Sequence, residues 1–305
     1  METKLRSMIR SLRKTDLVWR YGFNFSPTMK HIVGGNGSGR LTGVERDLVS
    51  SLRTDGVAVS SVEELFGDTS AYLELVSGTG EMLDARSQEI DGLRKSADAD
   101  EDIGVKTFNL EMLGSTLSFD PHDVFARFAL SAPILRIANA YLQMAVLLRY
   151  YNVWKTFASN GKSRESQLWH VDREDNYILK MFLYLDDVDE GAGPFTYAPG
   201  TQRNGRNRAI EPEFFIEGGV RRTTDEQMKA VLPESDWIRC TGKKGTLILA
   251  DTAGYHKGGE ARTKDRLMYT CMYTSRASES KRLLNIPVDL DPAALAADQR
   301  TALGI

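Results

Sequence analysis

The chain has 305 residues, and its 41% hydrophobic content is that of a globular protein with room for a sizeable core in one large domain or two ordinary ones. With 39 basic against 42 acidic residues the formal net charge is −3, which gives no electrostatic reason to bind nucleic acid and favours small-molecule partners. Cys240 and Cys271 are too few for a disulfide framework and form no CxxC pair, so a reducing cytoplasm is the expected setting.

At the N-terminus Lys4, Arg6, Arg10, Arg13 and Lys14 are interleaved with apolar residues at roughly helical spacing. No continuous apolar stretch follows, so neither a signal peptide nor a membrane span is expected, and the segment is expected to pack on its own domain. The glycine-rich run at 34–40 has no clear strand before it and no Lys-Ser/Thr ending, which makes it a linker and not a phosphate loop. Thr42 and Glu45 then form a capping-box pattern, and Val44, Leu48 and Leu52 predict a helix to about Arg53. Asp55-Gly56 ends it, Val57 and Val59 predict a short strand, and helical patterns return at about 69–93 and 121–142. Between those two patterns Asp98 to Asp102 is an acidic stretch expected to be a solvated loop.

From Met144 the texture changes. The runs AVLLRYYNVWKTF, QLWHVD, YILKMFLYLDD, GPFTYAP, DWIRC, TLILAD and RLMYTCMYTS are separated by turn residues and lack regular helices between them. At least six strands without helix alternation predict an antiparallel sandwich or barrel flanked by helices. The strand at 178–185 has two different faces: Leu179, Met181, Leu183 and Leu185 on one, Ile178, Lys180, Phe182 and Tyr184 on the other. The mixed face is expected to look into the barrel mouth. Residues 203–235 form a polar insert carrying Arg203, Arg206, Arg208, Arg221 and Arg222 beside Phe214 and Phe215, either a lid for an anionic or aromatic substrate or a solvated loop. Pro292 leads a terminal helix.

Two of the four histidines carry the chemistry. His170 lies two positions before Asp172, so on a strand both would project from one face, and His256 follows far downstream. Two imidazoles and a carboxylate on one face of an octahedron leave three positions open, as in non-heme iron(II) oxygenases. The HxD spacing alone is weak; its weight comes from the strand TLILAD before His256 and from Arg266 at the start of the next strand.

The ordered segments LWHVD, FLYLDDVDEGAGPFTYAPGTQ and GTLILADTAGYHKGGEARTKDR resemble the phytanoyl-CoA dioxygenase-like family of Fe(II)/2-oxoglutarate-dependent oxygenases, with 84 positions from Asp172 to His256 and 10 more to Arg266. The resemblance covers about 145–276. It implies a mainly β protein with a double-stranded β-helix (jelly roll, cupin-like) core and Fe(II) held by His170, Asp172 and His256. It also implies 2-oxoglutarate as cosubstrate, its distal carboxylate on Arg266, whose planar fork and permanent charge suit that task. The expected layout is one oxygenase domain over 1–305: a helical part at 1–143, a jelly-roll core at 144–276 with its insert, and a tail at 277–305. The retained Asp172 sets the chain apart from halogenating relatives and favours hydroxylation of a small organic molecule. Phe182, Gln167 and Asn152 are further candidates for the cosubstrate pocket.

Departures from the family pattern are Gln202 after Pro199-Gly200-Thr201, where histidine is common, and Gly258, where a serine often contacts the cosubstrate. Arg262 is a weaker competitor for the cosubstrate because it precedes the strand. A non-catalytic cupin-like binding protein and a zinc-dependent hydrolase with the same ligands are the alternatives, and neither needs Arg266.

Overall fold

The computed structural model describes residues 12, 15–34, 40–96 and 108–305. The basic residues between Lys4 and Lys14, most of the glycine run and the acidic stretch from Asp98 to Asp102 lie outside the described residues.

Two early strands, β1 (Val57–Ser61) and β2 (Asn109–Glu111), flank a sheet whose other members come from the second half of the chain. A two-residue strand β3 (Leu117–Ser118) follows, then the long β4 (Leu147–Thr156), β5 (Leu179–Tyr184) and the short β6 (Thr196–Tyr197). The insert contributes a hairpin, β7 (Phe215–Glu217) and β8 (Val220–Arg222). After β9 (Ile238–Arg239) come β10 (Thr246–Asp251), β11 (His256–Lys257), β12 (Arg266–Thr274) and β13 (Leu284–Asn285).

The large sheet runs β1-β10-β5-β12-β4-β2 with every pairing antiparallel, and the small sheet runs β11-β6-β9, also antiparallel. The helical N-terminal part therefore shares a sheet with the later strands. Among the described residues no helix is long and apolar enough to cross a membrane.

The alternation on β5 decides where the core and the site lie. Leu179, Met181 and Leu183 join the main core with the helices Gly43–Asp55, Val124–Ala129 and Ala132–Leu142. Phe182 and Tyr184 face the other way, into a second cluster with Ile248 and Ala250 of β10, Tyr197 of the small sheet and Phe195 just before it. That gap between the two sheets is where the functional residues collect. The outer side of the small sheet is covered by the insert: Met228 and Leu232 pack on Trp169 and Trp237. The later part of the insert is thus a folded cover, with a helix Asp225–Lys229 opened by a Thr224/Gln227 capping box, while Phe214, Phe215 and Ile216 of its hairpin region are exposed.

The helix Gly43–Asp55 begins and ends as its sequence predicts. Thr42 N donates to Glu45 Oε2 at 3.0 Å while Glu45 N donates to Thr42 Oγ1 at 3.2 Å. Gly56 closes it at φ +83°, where a Cβ would fall on the Tyr197 hydroxyl. Glu45 also accepts both bonds of the Arg136 Nε, at 3.0 and 3.1 Å, and is only 1% exposed. Breaking a buried pair by removing one partner leaves an uncompensated charge, so Glu45→Ala is expected to destabilise the fold by about 3 kcal/mol. Urea unfolding measures this; a loss below about 1 kcal/mol would show the pair to be dispensable.

Several expected strands shorten. QLWHVD makes no regular strand: Trp169 bridges Thr223, His170 bridges His256, and the Asp172 N–H donates to Thr252 O. The segment changes partners within four residues, which a continuous ladder cannot do. In the tail, Pro292–Ala294 is a single 3-10 turn and the helix starts only at Ala297.

Candidate active site

The reciprocal backbone bonds between His170 and His256, both 3.0 Å, set the two rings side by side with centroids 4.3 Å apart. Each ring is then oriented by its own chain: His170 Nδ1 lies 2.8 Å from Leu168 O and His256 Nδ1 lies 3.0 Å from Gly254 O. A carbonyl only accepts, so both Nδ1 atoms carry the proton and both Nε2 lone pairs are left for another partner. The turn into His256 is held by buried Asp251, whose Oδ1 accepts from the N–H groups of Ile178 and Ala253, both at 3.1 Å.

Asp172 completes the group. One donor atom from each of His170, Asp172 and His256 lies within 4.8 Å of the others, with Asp172 Oδ2 4.0 Å from His256 Nε2. That Oδ2 is buried and forms an ion pair with the Lys180 ammonium of β5, 2.7 Å away. Burial alone would raise the Asp172 carboxyl, but the Lys180 ammonium beside it holds it below the ordinary carboxylate range. Burial pushes His256 down to about 4 and His170 well below its usual value, the latter aided by His256. Two neutral imidazoles and an ionised carboxylate are a donor set that suits a divalent first-row metal.

Arg266 begins β12 with 5% exposure. Its Nη1 donates to Gly258 O and its Nη2 reaches Thr156 Oγ1 at 3.5 Å, while its Nε is buried without a partner. Burial lowers its pKa against the opposing effect of Tyr184, yet an arginine stays charged at any working pH. Gly258, where a serine was missed in the sequence, thus meets Arg266 through its backbone carbonyl. Gly259, next in line at φ +68°, has no space for a Cβ, which would fall on Gly193 and the Pro194 carbonyl. Arg262 is engaged elsewhere, with Glu260, Ser159 O and Gly161 O.

The remaining candidates separate. Phe182 stacks on Phe195 with centroids 4.6 Å apart, and Phe195 lies 5.7 Å from the His256 ring, so an aromatic wall runs from β5 to the histidines. Asn152 shares the row of Thr270 and Phe182 in the large sheet, but its amide hydrogens go to Glu111 Oε1 and Gly114 O, at 3.0 and 2.8 Å. They hold the loop after β2 and are not available near the histidines as the sequence suggested. Gln167 is buried in a 3-10 turn and accepts from Arg164 N at 3.1 Å. Lys180 was read as part of a mixed face but not as the partner of Asp172; a lone cation in an otherwise apolar strand was the available signal. A cleft of about 870 Å³ opens over Asp172.

The family model for phytanoyl-CoA dioxygenase (PhyH) matches residues 81–268, a span that holds all four of these functional candidates, His170, Asp172, His256 and Arg266. No curated protein matches the chain. Among solved structures, EctD from S. alaskensis with bound Fe aligns at 18% identity and TM-score 0.51, over 86% of this chain and 88% of that one. The same enzyme with 2-oxoglutarate and 5-hydroxyectoine aligns at 18% and 0.51, over 85% and 87%. The epimerase SnoN in complex with Fe3+, alpha ketoglutarate and nogalamycin RO aligns at 17% and 0.45, over 76% and 84%. At such identities the EctD likeness is one of fold. The family match spans well over half of the sequence, and the chain belongs to the phytanoyl-CoA dioxygenase family of iron(II)- and 2-oxoglutarate-dependent oxygenases.

Proposed function

We propose that the protein is a dioxygenase that hydroxylates a small organic molecule while converting 2-oxoglutarate and O2 to succinate and CO2. The observation that carries this reading is the convergence of three donor atoms, one each from His170, Asp172 and His256, beside a buried arginine with a free donor. His170, Asp172 and His256 would hold Fe(II), and Arg266 would take the distal carboxylate of 2-oxoglutarate, with Phe182 and Phe195 as the apolar wall. When bound, the iron and 2-oxoglutarate together supply an oxidant strong enough to attack a C–H bond.

The chain's own contribution is orientation and charge. Leu168 O and Gly254 O fix the ring tautomers, Lys180 keeps Asp172 ionised, and the aromatic wall excludes water from one side. The pair of facing sheets supports a double-stranded β-helix, and the sharing of the large sheet by β1, β2 and the later strands supports a single domain over 1–305, with the part at 1–143, core at 144–276 and tail at 277–305. The two buried free cysteines suit a reducing cytoplasm.

Succinate release from the Fe(II)-loaded protein is the test. Succinate should form only with both iron and dioxygen present. Metal and ligand binding without succinate would instead indicate a cupin-like binding protein, and turnover of a substrate without oxygen would indicate a zinc hydrolase.

A further inference from the structure

One cation beside the ligand set has no task in that reading. Arg222 is the last residue of β8, in the insert, and is 8% exposed. Its Nε and Nη1 are buried and have no hydrogen-bond partner. The antiparallel bridge between Trp169 and Thr223 points those two side chains outward, toward the Trp237 cluster. The preceding residue on one segment and the following residue on the other therefore face inward, which sets Arg222 across from His170. His170 in turn bridges His256, so Arg222, His170 and His256 form one row across three chain segments.

The nearest carboxylate does not satisfy it. Glu217 Oε2 is 3.8 Å from Arg222 Nε, beyond hydrogen-bond reach, and accepts instead from the Glu165 N–H at 2.5 Å. Glu165 itself sits at φ +50°. Neither charge of 2-oxoglutarate is left for Arg222, since one carboxylate goes to Arg266 and the other to the metal. Buried guanidinium donors without acceptors are costly, and a fold retains them where a ligand supplies the acceptor. The cleft over Asp172 is lined by Arg173, Arg203, Arg208 and Arg221 together with Glu174, Asp175 and Glu279, so its walls are of mixed charge and the preference for an anion rests on Arg222 itself.

We infer that Arg222 receives an acidic group of the primary substrate, so that the molecule oxidised is a small organic anion bearing a carboxylate, sulfonate or phosphate. This rests on the oxygenase reading. The experiment uses Mn(II)-loaded protein saturated with 2-oxoglutarate, titrated calorimetrically with benzoate, phenyl phosphate and benzamide. At least one acid should bind ten times or more tighter than benzamide; Arg222→Gln should remove that preference, and Arg222→Lys should keep part of it. The affinity for 2-oxoglutarate should change less than twofold in both variants. Equal binding of acid and amide, no binding of either acid, or a loss of 2-oxoglutarate affinity in Arg222→Gln each overturns the assignment. Failure of the wild-type protein to bind Mn(II) or 2-oxoglutarate overturns the oxygenase reading, and this inference with it.

Discussion

Replacing Asp172 by alanine is expected to remove divalent-metal binding and 2-oxoglutarate turnover together, and His170→Ala is expected to do the same. Each residue supplies one of three donor atoms, and no other His, Cys, Asp or Glu among the described residues joins that group. Loss of an outer-shell partner of a metal ligand typically costs 10- to 100-fold in affinity, so loss of a ligand itself should cost at least about a hundredfold. Mn(II) titration followed by electron paramagnetic resonance reads this directly.

The two variants should differ in stability. His170→Ala leaves the backbone bridge to His256 intact, whereas Asp172→Ala leaves the Lys180 ammonium, 18% exposed, with only the weaker attraction of Glu174. An uncompensated buried cation costs about 3 kcal/mol, and pairing Asp172→Ala with Lys180→Met should recover most of it without restoring the metal. If the double variant regained metal binding, Asp172 would not be a ligand. If stability did not recover, the ion pair would not be what holds Lys180 in the gap between the sheets.

What the residues reveal in advance follows from the range of the physics involved. The capping box at Thr42 and Glu45 is a four-residue device and is visible as such. The two faces of β5 follow from strict alternation, which is why Leu179, Met181 and Leu183 could be separated from Phe182 and Tyr184 before any contact was known. The HxD spacing was legible, but the strand expected around it was not, because His170 and Asp172 bond to different segments. The missing information is long-range. Nothing local distinguishes Arg222 from Arg203, Arg206, Arg208 and Arg221; only the Trp169–Thr223 bridge turns the first inward, while Arg203 pairs with Asp16 and Arg206 with Asp55. Asn152 fails for the same reason, since its partners Glu111 and Gly114 lie across a strand pairing that the sequence does not announce.

Arg266→Gln is expected to raise the KM for 2-oxoglutarate by about 30-fold or more while leaving Mn(II) affinity within a few-fold of wild type. Truncating one partner of a buried, hydrogen-bonded charge pair costs about 2–5 kcal/mol, because the other charge stays desolvated without a counter-ion, and every 1.4 kcal/mol is a factor of ten. Arg266 also donates to Gly258 O and approaches Thr156, so some stability should be lost as well. That loss is common to Arg266→Gln and to Arg266→Lys, which gives the contrast its force. The lysine keeps a charge but not the planar fork, so it should recover part of the 2-oxoglutarate affinity if the arginine binds a carboxylate, and none if its role is confined to Gly258 and Thr156. Arg262→Gln supplies the second contrast, because its side chain is spent on Glu260, Ser159 O and Gly161 O. It should leave the KM for 2-oxoglutarate unchanged. A rise in that constant for Arg262→Gln, with none for Arg266→Gln, would move the cosubstrate's distal carboxylate out of the gap between the sheets and away from the histidines.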